Sequence, residues 1–321
     1  MLRQFAAGYL TIRRKIQTLT TKPRKNEMKI DGYTRTCGLI GNPVEHTMSP
    51  AIHNTLAQAM GENLVYVPFH VPEGCVAEAV KGAWALNLLG CNVTVPYKSR
   101  VIPFLKEIDP LAEQMGAVNT LVRTEGGFKG YNTDMPGLYR AMCEDGIEIE
   151  GEKVLILGAG GVARAVAMLL LQKGAEQILI WNRTLEKAEK IVEEVNGFTG
   201  RKVAQALALA DYGRLPEGGK YLAIQATNVG MFPQVEDVII DAPAFYEKIH
   251  TGYDLIFNPA KTRFMSLVEE SGGRAYNGLK MLLYQGIIAY ELWTGTKVDS
   301  ELAKLAYGEM KRAMGLSEGE E

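Results

Sequence analysis

No two of the four cysteines (Cys37, Cys75, Cys91, Cys143) form a C-x-x-C pair. That spacing speaks against a disulfide framework and for a reduced, cytoplasmic compartment. Histidine is equally scarce: four residues, with no H-E-x-x-H and no His/Cys cluster, so no metal site is expected. No apolar run reaches the roughly 18 residues that a membrane span needs, so no membrane is expected. Charge of one sign is missing too. A net charge of -2 excludes a nucleic-acid or membrane-surface partner held by bulk electrostatics.

The first 26 residues lack acids altogether while holding seven Lys/Arg, so the rest of the chain carries -9. An acid-free cationic start can be an organelle transit peptide, but this one also lacks serine. The preferred reading is a non-structural tail over residues 1–27, with Met28 opening the working chain.

What is present is an ordinary soluble composition, 47% hydrophobic and 22% charged, in 321 residues, enough for two domains. From Thr34 to about Asp134, strand-like runs ("RTCGLIG", "NLVYVPFHV", "GCNVTV") alternate with helical ones ("SPAIHNTLAQAM", "GCVAEAVKGAWAL"). That alternation predicts a largely parallel, covered sheet. From Glu152 the pattern repeats more cleanly through "KVLILGAGG", "QILIWN", "YLAIQAT" and "YDLIF", which predicts a doubly wound α/β domain. "LKMLLYQGIIAYELWTG" is apolar nearly all round and predicts a buried helix. The expected division is 28–134 plus 278–321 for one domain and 135–277 for the other.

"GAGGVA" (158–163) fits G-x-G-x-x-G/A between a predicted strand and a predicted helix. Gly158 permits the turn, Gly160 lets backbone approach a pyrophosphate, and Ala163 allows close packing. That context predicts a dinucleotide site in a Rossmann-like domain. NAD-binding units place an acid about 20 residues on, yet the next strand ends in Asn182, Arg183 and Thr184, with Lys187 close behind. Two cations and no carboxylate suit a 2'-phosphate, so NADP(H) is the expected cofactor.

Four further stretches are polar where a fold alone asks for apolar residues. Lys98 closes "GCNVTVPYK", where a snorkelling surface lysine is the plain alternative. Thr47 and Ser49 precede Pro50, where helix capping would account for them. Asn119 falls in the strand-like "GAVNT", where a buried amide needs partners. Asn132, Thr133 and Asp134 sit between glycines, where a turn would suffice.

Taken in order, "GNPVEHTMSPAIHN", "GCNVTVPYK", "GAVNT", "GYNTD", "GAGGVARA", "NRT", "ATNVGM" and "NGLKMLLYQG" closely resemble the shikimate dehydrogenase family. The resemblance runs from residue 38 to about 295. It implies NADPH-dependent, reversible reduction of 3-dehydroshikimate to shikimate, a step of the shikimate pathway to chorismate and the aromatic amino acids. It implies a substrate domain, a cofactor domain and a cleft between them. Lys98 and Asp134 would be the catalytic pair. Thr47, Ser49 and Thr94 would hold the substrate's carboxylate end, and Asn119, Asp134 and Gln285 its hydroxyls, with Phe257 alongside. Gly158, Ala159, Gly160, Gly161, Val162, Asn182, Arg183, Thr184, Lys187, Thr227, Met231, Leu255 and Gly278 would line the cofactor.

Four positions depart from the commonest family pattern: Thr47 for serine, Lys187 for arginine, Gln225 for asparagine and Phe257 for tyrosine. Quinate/shikimate dehydrogenase activity with relaxed substrate or cofactor choice stays open. A nucleotide-binding regulator without catalysis is disfavoured by the presence of both Lys98 and Asp134. The motifs are the same in a monomer and a homodimer.

Overall fold

The computed structural model describes residues 30–215 and 219–316. The expected tail over 1–27, with the start at Met28, lies outside the described residues.

Two six-stranded sheets organise the chain. The first is built from β1 (Arg35–Gly41), β2 (Leu64–His70), β3 (Gly90–Val93), β4 (Glu107–Ile108), β5 (Thr120–Thr124) and β6 (Gly127–Tyr131), in the order β2-β1-β3-β5-β6-β4. Between these strands run α1 (Ser49–Ala59), α2 (Val76–Ala85) and α3 (Pro110–Met115), and α4 (Asp134–Glu144) comes after them. The expected largely parallel sheet holds for β2-β1-β3 and for the short β4–β6 pair. β5 pairs antiparallel with both β3 and β6. For β5–β6 the reason is local: Gly126, at φ 78°, lets Glu125–Gly127 reverse the chain tightly, so no crossover helix intervenes.

The second sheet contains β7 (Lys153–Leu157), β8 (Gln177–Asn182), β9 (Ala204–Ala208), β10 (Tyr221–Gln225), β11 (Ile249–Asp254) and β12 (Arg274–Tyr276). Every pairing is parallel, in the order β12-β11-β10-β7-β8-β9. That is the doubly wound order, with its switch point between β7 and β10. Val154, Leu155, Ile156 and Leu157 are all buried, as a central strand covered on both faces requires. Around the sheet lie α5 (Gly161–Gln172), α6 (Leu185–Thr199), α7 (Pro243–Tyr246) and α8 (Arg263–Glu270). α6 turns Ala188, Ile191 and Val195 inward, a 3-4 spacing that leaves its Glu/Lys face in water.

The chain then returns. α9 (Leu279–Thr294) packs on α4, α1 and β5, and α10 (Ser300–Ala313) packs on α1. Trp293 donates its indole N–H to the Leu121 carbonyl at 2.8 Å, and its ring centroid lies 5.0 Å from that of His53. The "YDLIF" strand is displaced from expectation. β11 ends at Asp254 because that carboxylate accepts the Ile256 N–H at 3.0 Å and turns the backbone, leaving Leu255 and Phe257 in a loop.

Candidate active site

β3 delivers the chain to Thr94, whose N–H bonds the Ile40 carbonyl. Tyr97 is then buried, with its hydroxyl on the Val71 carbonyl at 2.8 Å, and this anchor aims the next residue inward. The Lys98 ammonium reaches Asp134 Oδ2 at 2.7 Å. Asp134 is the first residue of α4, where the helix N-terminus favours a negative charge. Its other oxygen, Oδ1, accepts from Asn119 Nδ2 at 2.8 Å.

Asn119 falls one residue before β5 rather than inside it. Its amide is fully engaged: Nδ2 also donates to Thr133 Oγ1 at 3.0 Å, and Oδ1 accepts the Thr133 N–H at 2.8 Å. A buried amide so paired repays its desolvation and fixes the rotamer. The Val118 N–H bonds the Lys98 carbonyl at 2.8 Å, so the segments bearing Lys98 and Asn119 are held together directly.

These groups open onto one cavity of about 360 Å³. Thr47, Ser49, Thr94, Lys98, Asn119, Asp134, Phe257 and Gln285 all line it, joined by Leu255 and Gly278 from the second sheet's side. Ser49 does not cap α1, because the cap position is Met48. Instead Thr47 Oγ1 accepts the Ser49 N–H and donates to Ser49 Oγ, each at 3.2 Å, so the two hydroxyls act as one polar edge. Gln285 donates Nε2 to the Leu282 carbonyl at 2.8 Å.

At the switch point, Gly158 adopts φ 117°, and a Cβ there would meet Thr227 Cγ2 at 2.7 Å. Gly160 and Gly161 are exposed with open space where a Cβ would sit, and no side chain caps α5. Such a turn leaves helix-start amides for a pyrophosphate, so the residues fit a dinucleotide. Arg183, Thr184 and Lys187 are exposed beyond β8, while Asn182 donates Nδ2 to the Thr184 carbonyl at 2.8 Å. Arg183 lines a separate cavity of about 400 Å³ with Leu209, Ile240 and Asp241. Val162 and Met231 are exposed and border neither cavity.

Residues 39–121 match the shikimate dehydrogenase substrate binding domain, 141–213 the shikimate / quinate 5-dehydrogenase family, and 278–304 the shikimate 5'-dehydrogenase C-terminal domain. A shikimate dehydrogenase (NADP(+)) of Carboxydothermus hydrogenoformans is 41% identical over 290 residues, covering 90% of this chain and 100% of that one. The chain belongs to the shikimate dehydrogenase family. Solved structures agree. Shikimate 5-dehydrogenase of Listeria monocytogenes, in complex with shikimate and NAD, superposes with TM-score 0.79 at 35% identity, over 87% of this chain and 98% of that chain. The Thermus thermophilus enzyme, in complex with NADP(H) and shikimate, gives 0.75 at 31%, over 87% and 99%.

Within this shikimate dehydrogenase fold, the structure adds residues that the motifs alone did not single out. Asn92 is buried, accepts the Tyr66 hydroxyl at 2.8 Å and donates to Thr120 Oγ1 at 3.1 Å, bracing the cavity floor. Asn92 stood in "GCNVTVPYK", and its alternation into the sheet was the available signal. Asp241 had no such signal. It reaches the Arg183 cavity from a loop far downstream.

Proposed function

We propose that the chain catalyses the reversible NADPH-dependent reduction of 3-dehydroshikimate to shikimate, on the route to chorismate and the aromatic amino acids. The observation that carries this reading is the Lys98–Asp134 pair, 2.7 Å apart, set in the wall of a cavity sized for a small polyol acid. NADP(H) is the cofactor, and when bound it supplies the hydride. Gly158 to Val162 would receive its pyrophosphate, Arg183 and Lys187 its 2'-phosphate, and Leu255, Gly278, Thr227 and Met231 would flank its other end.

The chain's own residues handle the proton. A ketone under reduction develops alkoxide character, which needs a proton or a cation at the oxygen. Lys98 Nζ supplies both, passing its proton to the oxygen in reduction and holding the hydroxyl's proton in oxidation. Asp134 fixes the ammonium's direction through one oxygen while Asn119 fixes Asp134 through the other. The Lys98 side chain is 36% exposed, so its proton can exchange with water between turnovers. Thr47, Ser49 and Thr94 supply hydroxyl donors for a carboxylate, and Asn119, Asp134 and Gln285 read ring hydroxyls.

On this reading residues 28–134 with 278–321 form the substrate unit and 135–277 the cofactor unit, supported by the return of α9 and α10 to the first sheet. All four cysteines are free, which suits a reducing, cytoplasmic compartment. A second reading, quinate as an additional substrate, stays open because Phe257 leaves the cavity wall without the hydroxyl of the tyrosine frequent in the family. Steady-state rates with shikimate and quinate, each with NADP+ and NAD+, test both readings. Absence of shikimate oxidation with either cofactor overturns the first.

A further inference from the structure

Arg164 lies just past the glycine turn, in the first turns of α5, and takes no part in lining the substrate cavity. It is half-buried. Its Nε donates to Glu194 Oε2 at 2.7 Å and its Nη2 to Glu194 Oε1, a two-pronged grip on the neighbouring helix α6. The same guanidinium crosses to the other unit. Nη2 donates to the Gln114 carbonyl at 2.9 Å, and Nη1 approaches the Met115 carbonyl at 3.4 Å. Those carbonyls end α3, a helix of the first sheet's layer.

The chemistry of the contact is specific. The last carbonyls of a helix have no intrahelical partner and carry the negative end of its dipole, so a cation with several donors suits them. A guanidinium can grip a carboxylate and still offer N–H groups to carbonyls, whereas an ammonium cannot span both. Glu194 holds the fork in the orientation that reaches α3.

The segment downstream of α3 gives the contact its meaning. Gly116 closes the helix at φ 62°, and two residues later the Val118 N–H bonds the Lys98 carbonyl. The next residue, Asn119, holds Asp134. A shift at the end of α3 is therefore passed within a few residues to both members of the Lys98–Asp134 pair.

We propose that Arg164 is a positioning residue, a latch that ties the helices of the cofactor unit to the end of α3 and sets the separation of the two units for turnover. This rests on the proposed dehydrogenase reaction. The latch touches neither the glycine turn's open face nor the cavity, so it acts on the joining of two half-sites rather than on either alone.

Arg164→Ala and Arg164→Lys in the full chain test it. Turnover of shikimate should fall on the order of tenfold or more, because small misplacements between reacting groups cost that much. The separate dissociation constants for NADP+ and for shikimate, measured by calorimetry with one ligand at a time, should stay within about twofold. Amide hydrogen exchange at residues 116–119 should quicken in both variants, a readout that needs no turnover. Wild-type exchange at 116–119 in both variants overturns the latch. So does a rise of about tenfold or more in the NADP+ constant without faster exchange there, which would make Arg164 a cofactor contact. Arg164→Lys keeps the charge and stem, so it answers the question if Arg164→Ala fails to fold. A wild-type protein inert towards shikimate would remove the substrate reading, while the exchange arm would still decide the latch.

Discussion

Asn119 and Asp134 meet at 2.8 Å, and the amide takes one carboxylate oxygen so that the other is left to Lys98. The consequence is directional: the ammonium is held from a carboxylate that cannot itself rotate freely. Lys98→Met keeps the stem's packing and removes the charge. Turnover should fall roughly 10²-fold or more, as when a positioned acid-base group is lost. A lysine that merely snorkelled would tolerate the change within about 0.5 kcal/mol. Near-normal turnover in a folded Lys98→Met protein would return Lys98 to the status of a snorkelling lysine.

Arg183 should decide cofactor choice. A charge-assisted phosphate contact is worth roughly 1.5–3 kcal/mol, so Arg183→Ala should raise the KM for NADP+ about tenfold or more. The KM for NAD+, which has no 2'-phosphate, should hardly change. Equal effects on the two cofactors would remove Arg183 from the phosphate.

Two buried groups should tilt the pH–stability curve in opposite senses. Asp254 is fully buried, and desolvation raises its carboxyl to about 7, against the smaller lowering by Thr262 and the Ile256 N–H. Its folded-state pKa lies above the unfolded one, so its contribution is full below about pH 4 and is lost as pH rises to 7. His53 is stacked on Tyr66 at 4.2 Å, and burial lowers it to about 3. Its contribution is full above about pH 6.5 and is lost on acidification below that. Each slope approaches about 1.4 kcal/mol per pH unit. Asp254→Asn should therefore gain on the wild type between pH 5 and pH 8, as read by urea denaturation. A pH-independent difference would show that Asp254 does not titrate in that window.

Gly278 is a matter of room. A Cβ there would sit 2.7 Å from the Leu255 carbonyl carbon and closer still to its oxygen. Backbone cannot step aside cheaply, so Gly278→Ala should cost about 1–3 kcal/mol. Because Leu255 lines the cavity, turnover should drop as well. Wild-type melting and turnover together would show that the loop after β11 yields without loss.

The sequence pattern revealed β7, β8, β10 and β11, whose apolar runs are short and separate, but not β9 or β12, whose "AQALA" and "RAY" carry little apolar signal. Thr47, Ser49, Lys98, Asn119 and Asp134, which line one cavity, each stood in a polar stretch that a core had no use for, whereas Phe257 and Gln285 stood in apolar runs and came only from the family resemblance. The pattern did not show the β5–β6 hairpin. The run "GAVNT" reads as one strand, while the reversal depends on a left-handed glycine at 126. It overran β11 as well, because "LIF" continues the apolar pattern and only the folded chain brings the Asp254 carboxylate to the Ile256 amide. Arg164 sits in a quoted motif, yet its reach to α3 depends on how the two sheets lie, which no local spacing encodes.

The return of α9 bears on how the protein is made. Residues 35–131 leave the ribosome well before 279–294 exist, yet Tyr290 and Trp293 belong to the same buried cluster as Ile52, Leu56 and Tyr66. The strands of the second sheet, by contrast, are contiguous between 153 and 276, and the cluster on one of its faces, with Leu155, Leu157, Ala223, Phe245 and Phe264, draws on nothing from farther along. Domains usually mature in the order of synthesis. Here the part made first must wait, half-covered, for a helix translated much later, and the unit made in between can fill one face of its sheet before that helix exists.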